Sequence, residues 1–112
     1  MPSTTRFERG DVILLTFPFS SGTEVKQRPA LVVFDSGDQD VLVARVTTAQ
    51  HESHLDLAID AWKQAGLLAP LTVRLHKLAT IEKDLVRRRL GRVSGSDWER
   101  IIVTLRDRMF CL

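Results

Sequence analysis

Arg28 and Thr47 are the two side chains in this sequence whose types and setting best suit the handling of a phosphate. Arg28 stands directly before Pro29, and a residue before proline is pushed toward extended backbone. Pro29 opens the apolar run ALVVF, a strand in which the missing N–H matters least at the first position. Thr47 closes a further strand pattern, Val41–Thr47 (VLVARVT). Between the two runs lies Asp35–Asp40 (DSGDQD), a compact turn signal. Pairing through that turn sets the start of one strand beside the end of the other, so Arg28 and Thr47 meet at one sheet edge. Alternation assigns Leu42, Ala44 and Val46 to the core and sends Arg45 and Thr47 to the opposite face. A planar guanidinium binds phosphate oxygens bidentately, and a neighbouring hydroxyl completes such a site. On pattern alone, however, an arginine and a threonine at strand ends are more often plain surface residues.

The other reactive side chains are weaker candidates. His51 and His54 form an H-x-x-H pair around Glu52. Zinc needs three or four protein ligands or an open fourth position, and no cysteine lies nearby. Solvated loop residues are the better reading, and no metal or other cofactor is expected. A two-histidine acid–base reaction ranks second, because imidazole titrates near neutral pH. His76, on the polar side of Leu71–Leu78, reads as a surface or core-edge residue. Ser20, Ser21 and Gly22 suit a substrate-gating loop and an ordinary hairpin connection equally well. Trp62 is undecided between packing and base stacking. Cys111 reads as tail or packing.

The elements that must position these groups are mostly strands. Val12–Phe17 (VILLTF), bounded by Gly10-Asp11 and Pro18, predicts a buried first strand. With the two strands above it suggests an antiparallel meander. Leu55–Ile59 predicts a short strand, and Asp60 a cap for a short helix over Ala61–Ala65, stopped by Gly66. Leu71, Val73 and Leu75 alternate with Thr72, Arg74 and His76 along a further strand. Val86–Val93 reads as an edge strand. Ser96-Asp97-Trp98-Glu99 has the form of a capping box, with Ser96 as cap. Behind it Trp98, Ile101, Ile102, Leu105 and Met109 fall at helical spacing to about the C-terminus. Strands first and one good helix last predict a small, bent antiparallel sheet or barrel with a helix over an opening.

At 112 residues the chain reads as one domain, 1–112, able to bury a core without staples. Ordinary apolar content and a net charge of +2 argue against disorder. The single cysteine fits a reducing cytoplasm. The polar start, Met1–Arg9, predicts no signal peptide, and no apolar run is long enough for a membrane span. Charge is unevenly spread: residues 1–73 hold six basic and nine acidic side chains, and 74–112 hold ten and five. Much of the second excess lies in Arg87, Arg88, Arg89 and Arg92, which suits either a solvated strand or a polyanionic partner.

Arg9-Gly10-Asp11-Val12-Ile13, then Gln27-Arg28-Pro29-Ala30-Leu31-Val32-Val33, then Val46-Thr47-Thr48, resemble the MazF/PemK family of toxin endoribonucleases from bacterial toxin–antitoxin modules. Ala65-Gly66-Leu67 and Val73-Arg74-Leu75-His76-Lys77-Leu78 extend the resemblance over about Arg9 to Met109. It implies a mainly β (α+β) fold, an SH3-like small antiparallel β-barrel of CcdB/PemK type with a C-terminal α-helix. It implies sequence-selective, metal-independent cleavage of single-stranded RNA through attack of the 2′-OH, with Arg28 and Thr47 as the catalytic pair. Glu24, Lys26, Gln27, Arg45 and Thr48 are the expected substrate contacts, although Lys26 and Gln27 are equally well read as solvated loop residues. The implied partners are a second copy of the chain and an antitoxin with an acidic, disordered tail. DNA would be reached only through that antitoxin. Two departures bear on the target sequence: the loop before Arg28 looks shorter than in some members, and Arg45 stands where the family often has proline. The alternative is a non-enzymatic toxin of the same fold that binds a protein such as DNA gyrase, or an inactive co-repressor; fold alone does not choose.

Overall fold

β1 (Asp11–Pro18), β2 (Val25–Phe34) and β3 (Asp40–Thr47) follow one another as antiparallel neighbours, the meander that their patterns predict. The computed structural model describes residues 5–18, 25–49 and 51–110. Ser20, Ser21, Gly22, Glu24 and Cys111 lie outside them. β5 (Thr72–Glu82) pairs antiparallel with β3, and the three-residue β4 (Asp56–Ala58) pairs with β5. After a 3₁₀ turn at Lys83–Leu85, β6 (Val86–Arg92) pairs with β1. The order β4-β5-β3-β2-β1-β6 makes β6 an edge strand, as its sequence suggests.

The sheet is barrel-like but not closed, since β4 and β6 are its two ends and do not pair. The segment 60–67 fills the seam. Its Ala65-Gly66 backbone lies directly against Leu90-Gly91 of β6. This segment is a tight turn and not the short helix expected from Ala61–Ala65. Ala65 N donates to Ala61 O at 3.2 Å and Gly66 N to Lys63 O at 3.1 Å. A helix this short lacks enough hydrogen bonds to offset its nucleation. Gly66, at φ 82°, ends it in the left-handed region.

Both faces of the sheet carry apolar side chains. Val12, Leu31, Ala44, Val46, Val73 and Leu75 pack beneath the C-terminal helix, with Ile101 and Leu105 of that segment against them. Ile13, Leu15, Ala30, Val32, Val41, Val43 and Ile81 form a second cluster on the other side. Alternation along β3 is therefore as expected for Ala44 and Val46, but the opposite face is apolar as well, up to Val43.

The helix α1 (Gly95–Thr104) is capped by Ser94, two residues earlier than the capping-box reading of Ser96. Ser94 Oγ accepts from Asp97 N at 3.1 Å. The Asp97 carboxylate instead accepts the backbone N–H groups of Asp60 (3.2 Å) and Ala61 (3.0 Å), so a tertiary contact fixes the helix start. Trp98, Ile101, Ile102, Leu105 and Met109 face the core as their spacing predicts. The last turn, Leu105–Met109, widens to a π turn in which Phe110 N donates to Leu105 O at 2.9 Å. Among the described residues no helix is long and apolar enough to cross a membrane.

Candidate active site

Ala30 of β2 stands opposite Arg45 of β3. Arg28 lies two residues before Ala30 and Thr47 two residues after Arg45, so antiparallel pairing brings both to the same end of these strands. Because β1 and β5 flank the pair, this is a strand end in the sheet interior and not a sheet edge. Both residues line one open groove of about 960 Å³. Its floor includes Leu15, Ala30, Val43 and Ile81 of the second apolar cluster. Parity explains the placement: Arg28 falls on the Ala30 side of β2, and Arg45 and Thr47 fall on the Val43 side of β3.

Arg45 and Thr48 also line the groove, whereas Lys26 and Gln27 are exposed on β2 outside it. β5 contributes His76 and Lys77. Register between β3 and β5 jumps from Ala44–Leu78 to Arg45–Arg74, which leaves residues 75–77 without partners on β3. That irregularity accompanies the arrival of His76 and Lys77 in the groove. His76 is half-buried, in keeping with its reading as a surface or core-edge residue, but that this edge lines the groove depends on the register irregularity and was not visible in the alternation.

The groove's charge has one sign. Arg28, Arg45 and Lys77 line it, and no Asp or Glu does so among the described residues. Arg28 is exposed and, among the described residues, held by no ion pair. Thr47 is half-buried, and its Oγ1 accepts from Ala49 N at 3.2 Å. With that acceptor site used by the backbone, the hydroxyl proton is left to donate to a ligand.

His76 Nε2 lies 3.3 Å from Arg74 Nη2. A guanidinium only donates, so Nε2 accepts and the ring proton sits on Nδ1. Nδ1 is buried and has no hydrogen-bond partner among the described residues. Arg74 is itself fixed by Asp56, with Nε donating to Oδ1 at 2.9 Å. Burial pushes the Asp56 carboxyl up, but hydrogen bonds from Ser53 and Arg74 outweigh it and hold it at about 2.

Two of the four arginines of the basic run in β6 are paired with acids. Arg89 Nε and Arg92 Nε both donate to Asp11 Oδ1 at 3.0 Å, and Arg92 also pairs with Glu8 at 3.2 Å. Its hydrogen bond to Asp11 raises the Arg92 pKa further. Asp11 is buried in the Arg9-Gly10-Asp11 turn and accepts from Glu8 N as well. Arg87 and Arg88 remain exposed. His51 and His54 are exposed in their loop, and no group of three or more potential metal-ligating side chains gathers among the described residues. Trp62 and Trp98 both pack at the margin of the first apolar cluster.

Among solved structures, the chain is similar to an endoribonuclease in complex with its cognate antitoxin from a mycobacterial species. The two share 21% identity over 93% of this chain and 95% of that one, with a TM-score of 0.70. It is similar also to a chain of a MazE–MazF structure from Deinococcus radiodurans, at 16% identity, 88% and 91% coverage and a TM-score of 0.71. The Mycobacterium tuberculosis toxin MazF-mt6 gives 21% identity, 82% and 88% coverage and a TM-score of 0.67. No curated protein matches the sequence. The family model for the PemK-like, MazF-like toxin of type II toxin–antitoxin systems matches residues 8–108. With the shared fold and a match across nearly its whole length, the chain belongs to the PemK-like, MazF-like family of type II toxins.

Proposed function

We propose that the chain is a sequence-selective endoribonuclease that cuts single-stranded RNA in the cytoplasm without a metal, as the toxin of its module. The observation that carries this reading is that Arg28 and Thr47 share one groove, which no carboxylate lines among the described residues. In RNA the nucleophile is the substrate's own 2′-OH, so the protein needs only to align the ribose and phosphate and stabilise the added charge. A bond forms from the 2′ oxygen to phosphorus, and the bond from phosphorus to the 5′ oxygen breaks. Solvent water takes the 2′ proton and supplies one to the 5′ oxygen, giving a 2′,3′-cyclic phosphate and a 5′-OH. Arg28 binds the phosphate oxygens and stabilises the phosphorane. Its guanidinium is a poor proton donor because arginine stays protonated to pH values above about 12. Thr47, oriented by Ala49 N, donates a hydrogen bond to a phosphate oxygen. Thr48 and Arg45 contact the neighbouring nucleotides, and Glu24, Lys26 and Gln27 are the further substrate contacts. The same positive groove suits the acidic tail of an antitoxin, and the working unit is a homodimer.

The test is incubation of the purified protein with single-stranded RNA in excess chelator. The expected result is cutting by the unaltered protein and none by Arg28→Ala, with 2′,3′-cyclic ends on the products. Equal cutting by both proteins would remove Arg28 from the mechanism. No cutting by either, with inhibition of a gyrase supercoiling reaction, would favour the protein-binding alternative.

A further inference from the structure

Arg45 and Thr47 stand on one face of β3 two residues apart, about 6.5 Å along the strand. A phosphate held at Thr47 therefore places an adjoining nucleotide beside Arg45. Across the sheet, Arg45 pairs with Ala30 on one side and Arg74 on the other. Ala30 has no bulk to cover it. Asp56, the carboxylate nearest in that row, is already bound to Arg74 at 2.9 Å. Arg45 is exposed, and no ion pair or hydrogen bond engages it among the described residues. Its guanidinium is thus an open fork of parallel N–H donors.

The described side chains around it are poor in acceptors. Among those lining the groove there is no carboxylate and no amide, and the hydroxyls of Thr47 and Thr48 are the oxygen acceptors. Thr47 Oγ1 already accepts from Ala49 N. A base whose reading edge carries a donor finds little there to receive it. Guanine offers N7 and O6 side by side, two acceptors at the spacing of the fork. Adenine replaces O6 with an amino group, which would oppose the guanidinium. Uracil separates its two carbonyls by N3–H. Cytosine has N3 and O2 adjacent, but its amino group would then face the donor wall.

We propose that Arg45 is the specificity-determining residue of the groove and selects guanine beside the scissile phosphate. This rests on the ribonuclease reading for its substrate, but it is tested separately from cleavage. Pentanucleotides of 2′-O-methyl RNA, which cannot be cut, carry one variable base within a uridine background and are titrated by fluorescence anisotropy. The guanine pentamer should bind about tenfold or more tightly than the others, and 7-deazaguanine should lose that advantage. Arg45→Ala should level the series, and Arg45→Gln should move the preference to adenine, which glutamine matches at N6 and N7. In parallel, a random RNA pool is cut and its new ends are sequenced. A level series with the unaltered protein, or a guanine preference that survives Arg45→Ala, overturns the proposal. Cutting without any Arg45-dependent preference overturns it while leaving the nuclease reading intact. Selective binding without cutting does the reverse, and absence of both binding and cutting overturns both.

Discussion

Gly66 and Gly91 meet backbone to backbone across the seam between the two ends of the sheet. A β-carbon on Gly91 would stand 2.5 Å from the Ala65 carbonyl oxygen, and one on Gly66 would overlap that of Leu90. The turn at 60–67 thus substitutes for the strand pairing that a closed barrel would have.

Gly91→Ala should destabilise the protein by about 1–3 kcal/mol, because backbone and not a pliable side chain must move. Gly66→Ala should cost more, since the left-handed backbone adds its own strain. Gly95→Ala meets nothing within 4 Å and should be neutral or slightly stabilising. Thermal unfolding of the three variants gives the order, and equal melting temperatures would refute the close packing of the seam.

Thr47→Val keeps the shape and removes the hydroxyl. Cleavage should fall by about 10²–10³, the loss typical of one donor to a developing oxyanion. Thr47→Ser should recover much of the rate. Single-turnover rates at saturating RNA are the measurement. A Thr47→Val protein as fast as the original would show that the groove acts through Arg28 alone.

RNA affinity should weaken with salt at a log–log slope of about −1.4, from Arg28 and Lys77 at about 0.7 each on a single strand, Arg45 being assigned to a base. Arg28→Ala or Lys77→Ala should each flatten it by about 0.7. Arg89→Ala should leave the slope unchanged, because Arg89 is paired to Asp11 outside the groove. Its effect should appear as lower stability, since one partner of the buried Asp11 is lost. A slope that drops with Arg89→Ala would relocate the RNA path to β6.

Acid should unfold the protein in a definite window. Asp35, Asp56 and Asp97 all have lowered pKa values, each through hydrogen bonds that outweigh the opposing effect of burial. A lowered carboxylate stabilises the fold above its unfolded value, and that contribution disappears as pH falls through the folded value. For Asp56 the window runs from 3.8 down to about 2. Urea midpoints should be flat from pH 7 to 5 with respect to these groups and fall below 4. Asp56→Asn should reduce that dependence, and a midpoint insensitive to acid would contradict the hydrogen bonding at all three carboxylates.

The meander, the edge position of β6 and the apolar stripe of α1 were legible in the sequence, because each depends on short-range periodicity. That Arg28 and Thr47 share one end of the β2–β3 pair was legible too, since it follows from alternation and one turn signal, whereas their place in the sheet interior and not at its edge was not. Three further features were not legible. Ser94 caps the helix in place of Ser96 because Asp97 reaches the amides of Asp60 and Ala61, some 36 residues away in the chain. His76 and Lys77 enter the groove beside a register jump that β5 makes against β3. Arg89 and Arg92 look like a free basic patch until Asp11 is brought to them.

The sequence by itself determined which side chains are apolar, where strands and the last helix run, and which arginine and threonine could serve a phosphate. Only the tertiary structure decided which charges stay open: it pairs Arg74, Arg89 and Arg92 with acids and leaves Arg28 and Arg45 free among the described residues. The reason is physical. Periodicity acts over a few residues, whereas an ion pair depends on register between strands distant in the chain. A shift of one residue in that register would send a side chain to the other face.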